Sequence, residues 1–201
     1  MIKNVVFDFG QVMVHFVPAY MVGKYVSDPS DAKLLETVVF DRLYWDRLDE
    51  GSITDEEVLA ACRLRLPERL WQVLEKIYWN WIYNIPEIEG MSALVADLKQ
   101  RGKRVFLLSN ICKYFADHAK EIKCLAAFEK CVFSAVCGRT KPSLEMFAYL
   151  CDECGIAPEE TIFIDDSPKN IAGSNAFGIE GYLFAGNVTG LRAYLAERLQ
   201  R

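Results

Sequence analysis

The chain has 201 residues, of which 52% are hydrophobic and 25% charged, and its formal net charge is −5. This length suffices for one core domain with a small insert, and the composition is typical of a globular protein. Because the charge is negative and no basic cluster is present, neither a nucleic acid nor an anionic membrane is expected as a partner. We expect neither a membrane span nor a signal peptide, and therefore a cytoplasmic location.

The first predicted strand covers residues 3–8 and ends in a carboxylate. Its apolar run, Asn4-Val5-Val6-Phe7, is typical of a buried strand and leads directly into Asp8. A carboxylate in such a place is costly to desolvate unless it is paired or binds a metal ion. Asp8 is therefore a candidate functional residue, although a single Asp at a strand end is also common in turns and helix caps.

The segment 16–87 predicts a helical insert, since it shows consecutive helical patterns and no alternation with strands. Thr54-Asp55-Glu56-Glu57 is a capping box that starts one of its helices. The insert would divide the chain into a core, residues 1–15 and 88–201, and a cap, residues 16–87. The predicted insert helices run over Ala32–Tyr44, from Asp55 onward, and over Glu68–Tyr83.

Aromatic residues are frequent in the insert. At helical spacing most of them are expected to pack two helices together, which leaves few for ligand contact. Trp45 is a better candidate for substrate contact than Trp81, because it lies close to the predicted turn Asp49-Glu50-Gly51. Arg47 is a second candidate for substrate binding, with a solvated surface charge as the alternative.

Polar residues also follow the second and third strands, predicted at 103–108 and 130–134. Ser109 and Asn110 come after the second strand, and Lys141-Pro142 follows the third. A hydroxyl, an amide and an ammonium group that face a carboxylate can together bind a phosphate group. The alternatives are an N-cap role for Ser109 and a solvated side chain for Lys141.

The seven cysteines indicate reduced thiols, because their number is odd and the chain is not small. The pair Cys151-x-x-Cys154 continues an apolar helical stripe that begins at Leu144 and includes Phe147. No second pair of Cys or His lies near it, so core packing is favoured over a zinc or redox site.

The fourth predicted strand, 161–165, ends in Asp165-Asp166, and a fifth is predicted at 181–184. Helical patterns separate the last four strands, which predicts an α/β fold with a doubly wound, mainly parallel sheet. Ligands of such sheets bind outside the carboxyl ends of the strands. Three carboxylates gathered there, from Asp8, Asp165 and Asp166, suit a hard divalent cation, and Mg²⁺ is the predicted cofactor.

These stretches, in this order, resemble the four motifs of the haloacid dehalogenase superfamily. The matching stretches are Val5–Val12, Leu107–Asn110, Lys141-Pro142 and Phe163–Asn170. The position of the insert resembles that of the helical-cap subgroup. Within this superfamily, the chain resembles the bacterial sugar-phosphate phosphatases that include α-glucose-1-phosphate phosphatases.

The resemblance implies an Mg²⁺-dependent phosphatase that forms an aspartyl-phosphate on Asp8, with a small phosphate ester as substrate. It further implies roles for the matching residues. Lys141 is catalytic and binds phosphoryl oxygens with Ser109 and Asn110. Mg²⁺ is held by Asp8, the Gly10 carbonyl and Asp166, with Asp165 bound directly or through water, and Asn170 orients Asp166 or a metal-bound water.

One position departs from the pattern of most phosphatases in the superfamily. They carry a second Asp two residues after the nucleophile as general acid and base, whereas this chain has Gly10. Loss of such a group typically lowers the rate about 10²–10⁴-fold. Gln11 and His15 are the nearest polar candidates for a substitute, with a place at the insert hinge or in the core as the alternative for His15. An ester with a good leaving group, such as a hexose 1-phosphate, is therefore favoured.

Two other functions remain open. A 2-haloacid dehalogenase of the same superfamily also lacks the second Asp, but it needs no metal ion and would leave the Asp165-Asp166 pair without a purpose. A non-enzymatic binding or regulatory protein is the second alternative, and the presence of Asp8 and Lys141 argues against it.

Overall fold

The computed structural model describes residues 1–200, and its centre is a five-stranded parallel sheet. The strand order is β3-β2-β1-β4-β5, and all four neighbouring pairs are parallel. The five predicted strands are confirmed with nearly the same bounds. The strands are β1 (Asn4–Phe7), β2 (Arg104–Ser109), β3 (Lys130–Phe133), β4 (Thr161–Asp165) and β5 (Glu180–Leu183).

Helices cover both faces of this sheet, which confirms the predicted α/β class. In chain order the α-helices of residues 1–200 are α1 (Pro18–Gly23), α2 (Pro29–Val39), α3 (Arg42–Asp49), α4 (Asp55–Arg65), α5 (Trp71–Asn80), α6 (Met91–Gln100), α7 (Lys113–His118), α8 (Ser134–Cys137), α9 (Leu144–Cys154), α10 (Pro168–Phe177) and α11 (Val188–Gln200). None of them is long and apolar enough to cross a lipid bilayer.

The central strands each contain a continuous apolar run, because both of their faces are buried. Val5 and Phe7 belong to one hydrophobic cluster, which also takes in α6, whereas Val6 belongs to a second cluster with α9. Cys151 and Cys154 are buried in the second cluster, so their predicted packing role is confirmed. Leu144, the first residue of that predicted stripe, is exposed because it opens α9 beyond the edge of the cluster.

Residues 18–83 are helical, as predicted, but one predicted helix is wrong. The structure has two helices in place of Ala32–Tyr44: α2 ends at Val39 and α3 begins at Arg42. The break has a local cause, since the Asp41 carboxylate accepts a hydrogen bond from the backbone N–H of Leu43 at 3.0 Å and caps α3.

The other two predicted insert helices are confirmed. The capping box of α4 is present, with bonds in both directions between Thr54 and Glu57. The last predicted helix, from Glu68 to Tyr83, consists of α5 with a short 3-10 turn at each end.

The chain leaves the sheet region and returns to it at one junction. Val14 forms an antiparallel bridge with Glu87, and the His15 N–H donates to the Pro86 carbonyl at 2.8 Å. His15 therefore lies where the predicted insert begins, and its side chain is exposed. The division into a core and a cap at residues 16 and 87 stays a prediction.

Candidate active site

The polar residues that end three neighbouring strands meet at one edge of the sheet. The strands β2, β1 and β4 are adjacent, so Ser109, Asp8 and Asp165 are brought together at their carboxyl ends. Ser109 and Asp8 line a cavity of about 430 Å³, and Asp166 lines it from the next position of the chain. Asp165 is fully buried behind that surface.

Lys141 is the centre of a buried ionic network. Its Nζ lies 2.7 Å from Asp8 Oδ1 and 2.7 Å from Asp165 Oδ2, and it donates to the Leu108 carbonyl at 3.0 Å. The Lys141 side chain is 1% exposed, so these three acceptors replace the water that an ammonium group would otherwise bind. The alternative of a solvated lysine is wrong.

The electrostatics of this network leave an excess of negative charge. Burial alone would lower the pKa of Lys141, but the carboxylates of Asp8 and Asp165 outweigh it and the pKa is raised. Burial raises the pKa of Asp8 to about 7, against the opposing effect of Lys141, and the Asp165 charge adds to the rise. A single ammonium group thus faces more carboxylate charge than it neutralises.

Three carboxylates form a cluster with the geometry of a cation site. One oxygen from each of Asp8, Asp165 and Asp166 lies within 4.8 Å of the others. Burial raises the pKa of Asp166, and so does the neighbouring Asp165 charge. A hard divalent cation fits this donor set, because it prefers oxygen ligands and would offset the charge that Lys141 leaves unpaired.

Asp165 is already engaged by protein groups on both of its oxygens. Oδ1 accepts from the Ser167 N–H at 2.8 Å, and the Asn170 amide donates to both oxygens at 3.0 Å. Asn170 therefore orients Asp165, whereas the sequence led us to expect a bond to Asp166 or to a metal-bound water. Asp166, which is exposed to the cavity, is better placed than Asp165 to bind a cation directly.

The structure places Asn110 beside Lys141. The Asn110 Oδ1 accepts from the Lys141 backbone N–H at 2.9 Å, and its Nδ2 donates to the Lys141 carbonyl at 2.9 Å. Both ends of the amide thus fix the backbone of Lys141, although Asn110 also lines the cavity. It is placed to position the ammonium group at least as well as to bind a phosphoryl oxygen.

The opposite wall of the cavity comes from the insert and is mostly aromatic. Trp45 and Trp81 both line it, and their rings lie 5.1 Å apart, with Phe16 5.6 Å from Trp45. The Trp45 Nε1–H donates to the Val39 carbonyl at 2.5 Å. The indole N–H is therefore already engaged, and Trp45 offers an apolar surface to the cavity. The packing role and the lining role that the sequence offered as alternatives therefore coexist.

The arginine at this wall is Arg42, one and a half turns before Arg47. Arg42 lines the cavity and pairs with Asp46, whereas Arg47 is exposed and does not line it. Which of the two arginines faces the cavity could not be predicted from the sequence, because the predicted helix ended at Tyr44 and the orientation of α3 was undefined. Lys169, beside Asn170, and Asp49, the last residue of α3, also line the cavity and were not predicted as site residues.

The two polar side chains near Gly10 are placed differently. Gln11 lines the cavity, and its Nε2 donates to the Phe16 carbonyl at 3.2 Å. His15 is exposed and does not line the cavity. Gly10 itself lines the cavity, as its predicted role as a carbonyl ligand requires.

The parallel sheet thus brings an aspartate, a lysine and an acidic cluster to one cavity, an arrangement suited to a hydrolase. The family model of the haloacid dehalogenase-like hydrolases matches residues 2–178. The chain belongs to this family.

Two characterised relatives are phosphatases. The chain is 27% identical over 195 residues to a D-ribitol-5-phosphate phosphatase of Bacteroides thetaiotaomicron. This match covers 90% of this chain and 91% of the relative. It is 29% identical over 182 residues to a sesquiterpene phosphatase of Aspergillus oryzae, and this match covers 89% of this chain and 88% of the relative. Like these relatives, the chain is a phosphoric monoester hydrolase.

A solved structure of similar fold is a haloacid dehalogenase family enzyme from Bacteroides thetaiotaomicron, in complex with magnesium and inorganic phosphate. Its TM-score is 0.70 at 20% identity, and the match covers 95% of this chain and 99% of that one. This likeness supports the fold over the 95% of the chain that the match covers.

Proposed function

We propose that the chain hydrolyses a small phosphomonoester, with a sugar phosphate as the favoured substrate, through an aspartyl-phosphate on Asp8 and with Mg²⁺ as cofactor. The observation that carries this proposal is the contact of Asp8 with Lys141, 2.7 Å apart at the edge of an acidic cluster. A carboxylate nucleophile, a buried cation and a cluster of oxygen donors are what phosphoryl transfer through an acyl phosphate requires.

Each residue has a distinct part in the proposed reaction. The carboxylate of Asp8 attacks phosphorus, and Lys141 balances the charge at Asp8 while Ser109 contributes its hydroxyl to the phosphoryl oxygens. Asn110 acts through the backbone of Lys141, and Asn170 acts through Asp165. Asp8, Asp166 and the Gly10 carbonyl would hold Mg²⁺, which would supply positive charge to the phosphoryl group.

The proposed substrate class follows from the size and chemistry of the cavity. A volume of about 430 Å³ suits a small molecule and excludes a folded protein or a nucleic acid duplex. The rings of Trp45 and Trp81 can pack against a sugar face, and Arg42 can bind hydroxyl groups. Since the relatives act on esters as different as ribitol phosphate and a sesquiterpene phosphate, the choice among esters rests on this wall.

The test of the nucleophile is the substitution Asp8→Asn, assayed with p-nitrophenyl phosphate and Mg²⁺. We expect turnover to be abolished, because the amide is a poor nucleophile. EDTA should stop the wild-type enzyme and added Mg²⁺ should restore it. Asp152→Asn, an exposed change on α9, is the matched control and should retain the wild-type rate. Turnover by the Asp8→Asn variant would refute the assignment.

The same assay separates the competing functions. A dehalogenase would release chloride from a 2-chloroacid and would do so in EDTA, whereas a binding protein would retain phosphate without turnover. A panel of sugar phosphates then tests the substrate class. Faster hydrolysis of every 6-phosphate than of any 1-phosphate would contradict the expected preference for a good leaving group.

A further inference from the structure

The space next to Gly10 is open. A Cβ built on Gly10 would have no other atom within 4 Å, so packing does not exclude a side chain from this position. The site therefore has room beside the nucleophile where most family members carry their acid, and the chain supplies no acid there. The group that protonates the leaving oxygen must reach the cavity from elsewhere.

Asp49 is a carboxylic acid that lines this cavity from the insert side, opposite Asp8 and Gly10. The turn that follows Asp49 packs against α8 of the core. The Ser134 hydroxyl donates to the Asp49 carbonyl, and a Cβ at Gly51 would lie 3.1 Å from the Ala135 carbonyl. These contacts with α8 fix the end of α3 against the core, so the backbone at Asp49 is held beside the cavity that this residue lines.

The surroundings of Asp49 favour its protonated form. It is the last residue of α3, where the negative end of the helix dipole disfavours a carboxylate. Its burial beside the aromatic rings of the cavity also disfavours the charged form. The charged groups that act on it are Arg42 and Asp46 of its own helix, and Asp8 and Lys141 of the core.

On the basis of the phosphatase function proposed above, we infer that Asp49 is the general acid and base that this chain lacks at position 10. The other polar side chains that line the cavity are less suited to this role. The Gln11 amide has no acidic proton, and the Arg42 guanidinium pairs with Asp46. His15 does not line the cavity.

The direction of its titration agrees with this role. Burial raises the pKa of Asp49 to about 8; Arg42 opposes that rise, and Asp46 adds to it. The carboxyl group is therefore protonated at neutral pH and can donate. An acid with a pKa near the working pH is also the most effective one.

The reaction then balances in two steps. In the first, Asp8 Oδ bonds to phosphorus, the ester P–O bond breaks, and the proton of Asp49 passes to the leaving oxygen to give the free alcohol. In the second, the Asp49 carboxylate takes a proton from water as the water oxygen bonds to phosphorus. The bond between phosphorus and Asp8 breaks, which releases phosphate and restores both carboxyl groups.

The test compares esters whose leaving groups differ in their need for a proton. We expect Asp49→Asn to lower kcat about 10²–10⁴-fold for alkyl or sugar phosphates. With p-nitrophenyl phosphate, whose leaving group departs without a proton, the first turnover should persist as a burst of nitrophenolate, followed by slow hydrolysis of the aspartyl-phosphate. Glu50→Gln, an exposed change at the next position, is the matched control and should behave as wild type.

A purely structural or binding role for Asp49 predicts a different result. KM would then rise with kcat unchanged, or the burst of nitrophenolate would be lost together with the turnover of alkyl esters, and either outcome would overturn the inference. A larger loss with alkyl esters in Lys169→Gln than in Asp49→Asn would also overturn it and would assign the proton to Lys169. The wild-type kcat for alkyl esters should fall as pH rises through about 8, and this limb should be missing in Asp49→Asn.

Rescue from position 10 keeps the test independent of folding defects. Gly10→Asp in the Asp49→Asn background should restore hydrolysis of alkyl esters, because the open space accepts the side chain, whereas Gly10→Ala should not. Absence of rescue with a normal unfolding midpoint would count against the inference.

If the wild-type chain hydrolyses no phosphate ester, the proposed function itself fails. An active wild type with an unaffected Asp49→Asn variant overturns the role of Asp49 alone.

Discussion

The two walls of the cavity are built in different ways. The strand-end wall consists of buried charges, in which Lys141 bonds to Asp8, Asp165 and a backbone carbonyl. The insert wall consists of packed rings and the end of one short helix, which carries Asp49. In the proposed reaction, the first wall carries the groups that attack and neutralise, whereas the second offers surface to the part of the ester that leaves.

This difference predicts that changes in the two walls have separable effects. A buried charge that loses its partner destabilises the fold and the chemistry together. A ring or a helix cap at the insert wall contributes to packing, and its loss should alter which ester is bound before it alters the attack on phosphorus. Three substitutions, taken from the largest expected effect to the smallest, test this separation.

Lys141→Met should have the largest effect. It leaves Asp8 and Asp165 buried without a cation, so we expect a loss of about 3–5 kcal/mol in the free energy of unfolding, together with loss of turnover. Urea unfolding at neutral pH without metal measures the loss. The loss of unfolding free energy should become smaller as pH falls. The pKa of Asp8 is raised to about 7, so at lower pH Asp8 takes up a proton in the folded state, where its uncharged form no longer needs Lys141 as a partner.

The control for this change is Lys113→Met, which removes an exposed ion pair with Asp117. Exposed pairs contribute little, so its unfolding free energy should stay within about 0.5 kcal/mol of wild type. If Lys141→Met behaves in the same way, the buried network does not have the importance assigned to it.

Trp45→Ala should have an intermediate effect on stability, about 3 kcal/mol, because it removes a buried ring from the insert cluster. The attack by Asp8 should survive, so KM for sugar phosphates should rise more than kcat for p-nitrophenyl phosphate falls. Trp71→Ala, at a partly exposed position outside the cavity lining, is the comparison and should leave KM unchanged. A loss of the aryl phosphate reaction in Trp45→Ala would break the separation between the walls.

Asp41→Ala should have the smallest effect, about 0.5–2 kcal/mol, since it removes the N-cap of α3. The Leu43 N–H and then Arg65 lower the pKa of Asp41, so this contribution is present at neutral pH and is lost as pH falls below the ordinary range of a carboxyl group. Denaturant unfolding at several pH values measures it.

Asp28→Ala removes the equivalent cap of α2 and makes a matched control for that change. Both variants should lose similar stability, but only Asp41→Ala should also lower activity on alkyl phosphates, because α3 carries Asp49. Equal activity of the two variants would show that the cap of α3 does not affect the insert wall.

Most of the strand-end wall was predictable from the sequence. Apolar runs that end in polar residues locate the strands, and the rules for parallel sheets then bring Asp8, Ser109 and Asp165 to one edge. The chain order of these residues and the helical segment 16–87 led to the family before any geometry was known. Local sequence determined these features because strand ends and helix caps depend on residues that are close along the chain.

Apart from Trp45, which the sequence singled out, the insert wall was decided by tertiary structure. The choice of Arg42 over Arg47 depends on the rotation of α3, which follows from the helix break at Asp41. The engagement of Asn110 with Lys141 and of Asn170 with Asp165 joins residues that only the folded sheet brings together. The environment of Asp49 likewise depends on rings and charges far away along the chain. Burial and Coulomb interactions act through space, so no pattern of neighbouring residues could have revealed them.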